Sequence, residues 1–344
     1  MRILLVRVGA MGDVLHALPA VAGLRAMLPD AHLAWAIEPR WQALLRDTSG
    51  HTPLVDTLHL VETRLWKQRP LSLATARSLV SLRSGLRAGA YDFCIDLQGS
   101  LRSATIGWLA HARELVGSAH PRETPARLLY HRRVPLAAMH VVDHAANLLS
   151  AAVHLPLTPA SVPLPADPAA EVWWRDFPNA AKPFVFLVPQ AGWGAKQWPA
   201  DRMGKVARQV SLAGFRVLVN QAHHDDPLAA AVVQSSRGTA SAIATDLPQL
   251  IALIRRASLV IAGDTGPLHL AAALGRPVLA LFGPTDPVRT GPYNTPARVL
   301  RHVSSVTDHT RHQATEGGLL QITTEAVLEA ARDLLHGNPA EPHL

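Results

Sequence analysis

The chain has 344 residues, 48% of them hydrophobic and 17% charged, and Lys+Arg exceed Asp+Glu by 33 to 26 for a formal charge of +7. That length predicts two domains. The composition excludes a disordered chain, and a lone cysteine, Cys94, excludes a disulfide scaffold.

The opening MRILLVRVGAMGD, cut by Arg7, reads as a first β-strand and not as a signal peptide. No uninterrupted apolar run approaches the ~18 residues of a membrane span, so a cytoplasmic protein is expected. Cys94, inside YDFCIDL, reads as a small buried hydrophobe suited to a reducing compartment. Arginine dominates the basic residues, which suits phosphates, although GC-rich codon usage accounts for it equally well. Aromatic residues are only 5% and do not interleave with the basic ones, which argues against a single-stranded nucleic-acid platform.

Short apolar runs alternate with helical patterns, the mark of parallel α/β architecture. In chain order the first half predicts strands at 2–8, 32–37, 55–60, 91–96 and 114–116. Helices are expected at 14–28, 71–88, 100–109 and 140–153. The proline-rich, nearly uncharged stretch LPLTPASVPLPADPA, 155–169, reads as a semi-rigid linker and domain boundary. A second alternation follows, with strands at 184–188, 216–220, 259–262 and 277–282. Its helices are expected at 200–213, 226–235, 247–257 and 266–274, with a closing helix at 324–336. The expectation is an N-terminal domain at 1–158, a C-terminal domain at 170–320, and a helix and tail at 321–344. Both domains would be doubly wound and Rossmann-like, facing a central cleft.

Three strand-end loops hold the chemistry, because open α/β sheets place ligands there. The first, Val8-Gly9-Ala10-Met11-Gly12-Asp13, has only GxxG of the dinucleotide fingerprint. Its Asp13 reads either as a helix N-cap or as a base that takes a proton from an incoming hydroxyl. The second, Pro189 to Pro199, combines small residues that let backbone amides approach an anion with the point charge of Lys196. The third, Ala262-Gly263-Asp264-Thr265-Gly266-Pro267-Leu268-His269, ends a buried strand and starts a helix with proline in its first turn. The helix's free amides would point at a ligand, and His269 would face the same way.

These segments together resemble the ADP-heptose:lipopolysaccharide heptosyltransferases, glycosyltransferase family 9. RVGAMGDVLHALPAV, AYDFCIDLQGSLRSA, KQWP and DTGPLHLAAALGRPVLALFGPTDP stand in the family's order and spacing, from Arg2 to about Tyr293. The MGD-x-LH-x-LPA opening is nearer the heptosyltransferase I branch than heptosyltransferase II. The resemblance implies an α/β GT-B fold and an inverting, metal-independent transfer. The heptose would pass from ADP-L-glycero-D-manno-heptose to a Kdo residue of Kdo2-lipid A, with no cofactor. It puts the catalytic base on Asp13 and the leaving-diphosphate lysine on Lys196.

The same resemblance implies donor contacts at Ala191, Gly192, Lys196, His223, Thr245, Asp264, Thr265, Gly266 and His269. Acceptor contacts are implied at Gly12, Arg64, Lys67, Arg122 and Arg132, with Arg133 extending that surface. Ala191 and Gly192 stand where the family often has threonines, and His223 stands for an acidic residue near the ribose. A lipid acceptor further implies a peripheral place on the cytoplasmic face of the inner membrane, against anionic lipid and not nucleic acid.

Other readings carry less. His140 and His144 have zinc spacing, but Asp143 stands where the inverted zincin pattern wants glutamate and no third ligand follows. Ser100 lacks the G-x-S-x-G elbow of a hydrolase nucleophile. The alternatives are a family 9 enzyme with another acceptor, an NAD-dependent oxidoreductase using Glu38, and a noncatalytic basic nucleotide- or nucleic-acid-binding module.

Overall fold

A computed structural model describes residues 1–308 and 310–337. The chain divides into two compact units, Met1–Pro165 and the residues from Ala166 on.

The first unit runs β1 (Arg2–Val6), α1 (Met11–Met27), β2 (His32–Ile37), β3 (Thr57–Leu60), α2 (Thr63–Gln68), α3 (Leu73–Ala88) and β4 (Phe93–Asp96). It continues with α4 (Leu101–Leu109), β5 (Glu114–Ser118), β6 (Arg132–Val134) and α5 (Val141–Val153). Its six strands, all parallel, lie in the order β3-β2-β1-β4-β5-β6. Leu4 of β1 registers with Ala34 on one side and Cys94 on the other. Both faces of the central strands are covered, so after the polar first residues Arg2 and His32 the strands β1 and β2 are unbroken apolar runs, ILLV and LAWAI, and not alternating ones.

The second unit runs α6 (Pro168–Arg175), β7 (Phe184–Val188), α7 (Ala200–Leu212), β8 (Arg216–Gln221), α8 (Pro227–Ser235) and β9 (Ala240–Ala244). Next come α9 (Leu247–Ile254), β10 (Leu259–Gly263), α10 (Gly266–Ala273), β11 (Val278–Phe282), α11 (Pro287–Thr290), β12 (Ala297–Arg301) and α12 (Thr324–Leu335). Its parallel sheet, β12-β11-β10-β7-β8-β9, repeats the topology of the first. In each sheet the first strand of the unit lies beside the fourth, which is where the strand order reverses and ligands settle.

Several expectations change. The edge strands β6, β9 and β12 were not expected, because RRV, ASAIA and ARVLR carry polar or small residues that suit a half-exposed sheet edge. The short helices α2, α6 and α11 are also additions. The stretch 155–169 holds the boundary between the units, as expected of a linker, but before that point it is packed against α1. Ala160 N–H donates to the Pro19 carbonyl of α1 at 2.9 Å, and a Cβ on Gly23 would sit 2.1 Å from the Thr158 carbonyl. Its end starts α6, N-capped by Asp167. The closing helix is no separate appendage either: Val327, Ala330 and Ala331 of α12 belong to the second unit's core with Val185, Leu187 and Ile261. The expected tail from 338 on lies outside the described residues.

Candidate functional site

In the first unit the loop from β1 into α1 brings Arg7 and Asp13 together. Asp13 is not the N-cap that one reading of the sequence allowed. The cap position falls on Ala10, which has no side-chain acceptor, and Asp13 is the third helical residue. From there Oδ2 accepts the Ala10 N–H at 3.1 Å, one half of a capping box. Oδ1 pairs with Arg7 Nη2 at 3.1 Å, and Arg7 Nε also donates to the Asp13 carbonyl. Arg7 is anchored further by the Leu97 carbonyl, and Gln98 Oε1 accepts the Val8 N–H at 2.8 Å. The loop after β1 is thereby tied to the loop after β4. The Asp13 side chain stays 37% exposed, against 15% for Arg7. Gly12 lies beside it at the helix start, half-buried.

Gly9 is demanded by close approach, since a Cβ there would stand 2.8 Å from Trp41 Nε1. The acidic residue that an NAD site would need is already occupied: Glu38 is buried and accepts from Thr63 Oγ1 and Arg40 Nε. Both of its oxygens already accept a hydrogen bond within the unit, which weakens the support for the oxidoreductase reading.

The basic residues divide. Arg64 and Lys67 project from α2 into solvent, and Arg122 is exposed in the loop after β5. That loop is held against the β4 end, where Glu123 N–H donates to the Gly99 carbonyl. Arg132 corrects the acceptor expectation. It lies at the start of β6, away from the strand ends, and makes a bidentate pair with Glu114 at 2.7 and 2.9 Å. It also donates to the carbonyls of Ala151 and Ala152, so it closes the C-terminus of α5. Arg133 is exposed and donates to the Arg127 carbonyl. His140, read as one of two zinc-spaced histidines, is instead the N-cap of α5, with Nδ1 accepting the Val142 N–H. Among the described residues there is no cluster of three or more His, Cys, Asp or Glu side chains arranged to hold a metal ion.

Asp96, at the end of β4, is fully buried and takes four donors: Gln98 N–H, Gly99 N–H, Ser103 Oγ and Tyr130 Oη. Burial pushes its carboxyl up while these bonds work against that rise. It organises the strand-end turn and the N-terminus of α4 without facing solvent.

In the second unit three residues form one buried cluster. Lys196 closes the helical turn Gly194–Lys196 after β7, and Asp264 follows β10. Lys196 Nζ donates to Asp264 Oδ2, and His269 Nε2 lies 2.9 Å from Oδ1. The Lys196 ammonium also stands 4.1 Å from the centre of the Trp193 ring. Lys196 and Asp264 are only 10% and 9% exposed. Burial alone would raise the Asp264 pKa. The His269 hydrogen bond and charge, with those of Lys196, outweigh it and hold the carboxyl well below the usual range.

Thr265 and Gly266 open α10, with Pro267 in its first turn and no side-chain cap on its amides. The Thr265 and Thr285 hydroxyls and Trp193 Nε1 are buried and have no partner among the described residues. They lie at the ends of the adjacent strands β10, β11 and β7. Buried donors of this kind call for an acceptor-rich ligand.

The outlying donor residues sit on the same strand-end edge but do not join this cluster. His223 is exposed after β8, and Thr245 is half-buried after β9. Ala191 is half-buried and Gly192 exposed, and a Cβ at Gly192 would stand in open space.

One component was not expected from the sequence. The segment after β12 returns over the Lys196 turn. Ala195 N–H donates to the His312 carbonyl, Glu316 N–H to Ala195, and Thr315 Oγ1 to the Gln197 carbonyl. A Cβ on Gly194 would lie 1.6 Å from the Gln313 carbonyl, so the two backbones are in contact. Only the smallness of Gly194 hinted at such a neighbour.

Residues 79–319 match the family model described as glycosyltransferase family 9 (heptosyltransferase). Lipopolysaccharide heptosyltransferase 1 of Escherichia coli K12 is 26% identical over 340 residues, covering 97% of this chain and 100% of that protein. Lipooligosaccharide heptosyltransferase 2 of Haemophilus influenzae is 28% identical, covering 71% of this chain and 77% of its own length. Among solved structures, E. coli heptosyltransferase WaaC with ADP superposes with a TM-score of 0.80 at 24% identity, over 97% of this chain and all of that one. The two Rossmann-type units are those of a GT-B fold.

Proposed function

Because the chain belongs to glycosyltransferase family 9, the heptosyltransferases, we propose that it moves L-glycero-D-manno-heptose from its ADP derivative to a Kdo residue of Kdo2-lipid A. The relatives named as lipopolysaccharide and lipooligosaccharide heptosyltransferases support this reading, as does the WaaC complex with ADP. The observation that carries it is the buried Lys196–Asp264–His269 cluster at the uncapped start of α10. That arrangement is built for a compact polyanion. Asp264 holds Lys196 and His269 in place, and Lys196 with the α10 amides takes up the charge of the departing diphosphate.

In this reading the acceptor hydroxyl oxygen attacks the anomeric carbon from the face opposite the diphosphate. The bond to the diphosphate oxygen breaks, the configuration inverts and ADP leaves. Asp13 takes the hydroxyl proton, being solvent-accessible and held in place by Arg7 and the Ala10 amide. Arg64, Lys67 and Arg122 are the exposed cations for an anionic acceptor, and no step is assigned to a metal. The MGD-x-LH-x-LPA opening, and a heptosyltransferase 1 relative matched along its full length, favour the first-heptose acceptor. A lipid-linked acceptor places the enzyme at the cytoplasmic surface of the inner membrane.

The test is ADP release from ADP-heptose with and without deacylated Kdo2-lipid A. Acceptor-dependent release is expected, unchanged by a chelator. Asp13→Asn lowers kcat by about a hundredfold or more with the donor KM kept, and Lys196→Ala impairs donor use. Release that needs an already heptosylated acceptor assigns the chain to the second transfer. Full activity in Asp13→Asn removes Asp13 as the base.

A further inference from the structure

Residues 63–88 carry an unusual surface. They include Arg64, Lys67, Arg69, Arg77, Arg83 and Arg87 and no acidic residue. All six cations are exposed, and none forms an ion pair or a side-chain hydrogen bond among the described residues. Elsewhere in the first unit Arg7, Arg25, Arg40 and Arg132 are paired with carboxylates.

The apolar residues of the segment behave just as unusually. On α3, Thr75, Leu82 and Leu86 face the unit's core and are its only buried residues. The opposite face presents Leu73, 76% exposed, and Val80, 69% exposed, around a shallow groove with Ala76 and Gly85. Leu71 just before the helix is fully exposed. At 3.6 residues per turn Leu73, Ala76 and Val80 form one outward stripe, and Arg77, Arg83 and Arg87 flank it.

This surface is preformed. Ser72 Oγ caps α3 by accepting the Thr75 N–H, Thr75 Oγ1 donates to the Arg69 carbonyl, and Trp66 Nε1 on α2 donates to Ser78 Oγ. In a parallel α/β unit α3 runs back from the strand ends, so its Leu71–Leu73 end lies on the edge that bears Asp13, with α2 alongside.

We propose that the outward face of α3, with Leu71, is a docking surface for an anionic lipid bilayer. Leu71, Leu73 and Val80 enter the headgroup boundary while the flanking arginines meet lipid phosphates. Charge complementarity selects this occupant: apolar side chains ringed by unpaired cations fit an anionic interface, and a helix of this kind lies in the plane of the surface. The role rests on the lipid-linked acceptor proposed above, since docking here brings the acceptor edge of the unit to the membrane. The docking itself is a separate property of the surface.

The experiment is cosedimentation of the full-length protein with vesicles of phosphatidylcholine alone or with phosphatidylglycerol. It compares wild type, Leu73→Ser/Val80→Ser and Arg77→Gln/Arg83→Gln/Arg87→Gln, each checked by far-UV circular dichroism and melting. Wild type is expected to bind only the anionic vesicles, less tightly as salt rises. The triple arginine variant should lose about a hundredfold in partitioning, and the apolar variant should also bind more weakly. ADP release with the deacylated, water-soluble acceptor stays unchanged in both variants. Equal binding by the folded variants and wild type overturns the proposal, and so does an absence of wild-type binding to anionic vesicles. Self-association lost in the same variants, without vesicle binding, overturns it in favour of an interface between copies. Failure of ADP release in wild type would strike the transfer reading and leave the vesicle result standing.

Discussion

Both units end a central strand in a turn that carries an aspartate at the start of a helix, yet the two carboxylates live in opposite circumstances. Asp13 is 37% exposed and shares its oxygens between one arginine and one backbone amide. Asp264 is 9% exposed, with Lys196 on one oxygen and His269 on the other. A carboxylate that is to receive a proton needs an accessible oxygen and weakly committed partners, which Asp13 has. Asp264 would have to surrender a buried cation to do the same. The residue type and its place at the turn are shared; burial and partners divide positioning from proton transfer.

That contrast can be broken by measurement. Removing Asp264 should cost most: Asp264→Ala strands a buried ammonium, and the expected loss is about 3–5 kcal/mol, roughly 10 °C in the melting temperature of the second unit. A variant as stable as wild type would refute the buried pair. The same group sets a pH signature. Its folded pKa is depressed, so its stabilisation is complete above its ordinary value of 3.8 and is lost as the pH falls through the lower folded value. Urea unfolding of wild type and Asp264→Asn at falling pH should therefore converge in acid; a constant gap would contradict that assignment.

Next in size is Gly194→Ala, where the new methyl meets the Gln313 carbonyl. It should destabilise by about 1–3 kcal/mol, and donor KM should rise because the Lys196 turn must shift. An unaffected melt and KM would mean that the backbone contact is dispensable. Asp13→Asn should then change stability by less than about 1 kcal/mol, being a partly exposed pair, even while turnover collapses. A large destabilisation would return Asp13 to a structural role. The smallest effect belongs to Gly192→Thr, whose side chain enters open space. Its melting should match wild type to within about 0.5 kcal/mol. A lower donor KM in this variant would mark the loop as a donor contact.

Much of the architecture was legible because parallel strands buried on both faces must be continuous apolar runs. FVFLV over Phe184–Val188 and HLAWAI over His32–Ile37 could be delimited to the residue. The start of α10 was also plain, since a strand end followed by Thr-Gly-Pro has few other conformations. The edge strand β3 was expected, but β6, β9 and β12 were not legible, because half-exposed edge positions tolerate the arginines of β6 and the small residues of β9. Arg132 was misread for a related reason. Its type suits an anion, but its partners, Glu114 and the end of α5, come from segments 18 and 20 residues away.

From the order of its apolar runs and glycine-bearing turns, the chain alone dictated two parallel α/β units and which loops would carry polar chemistry. These are local properties, written in periodicity and in the few conformations open to glycine and proline. The chain order did not dictate that Asp264 is neutralised while Asp13 remains open. Nor did it dictate that residues 312–316 lie on the Lys196 turn, or that the cations of α2 and α3 find no ion pair among the described residues. Those outcomes depend on burial and on partners brought together across long stretches of sequence, and only the folded backbone sets them.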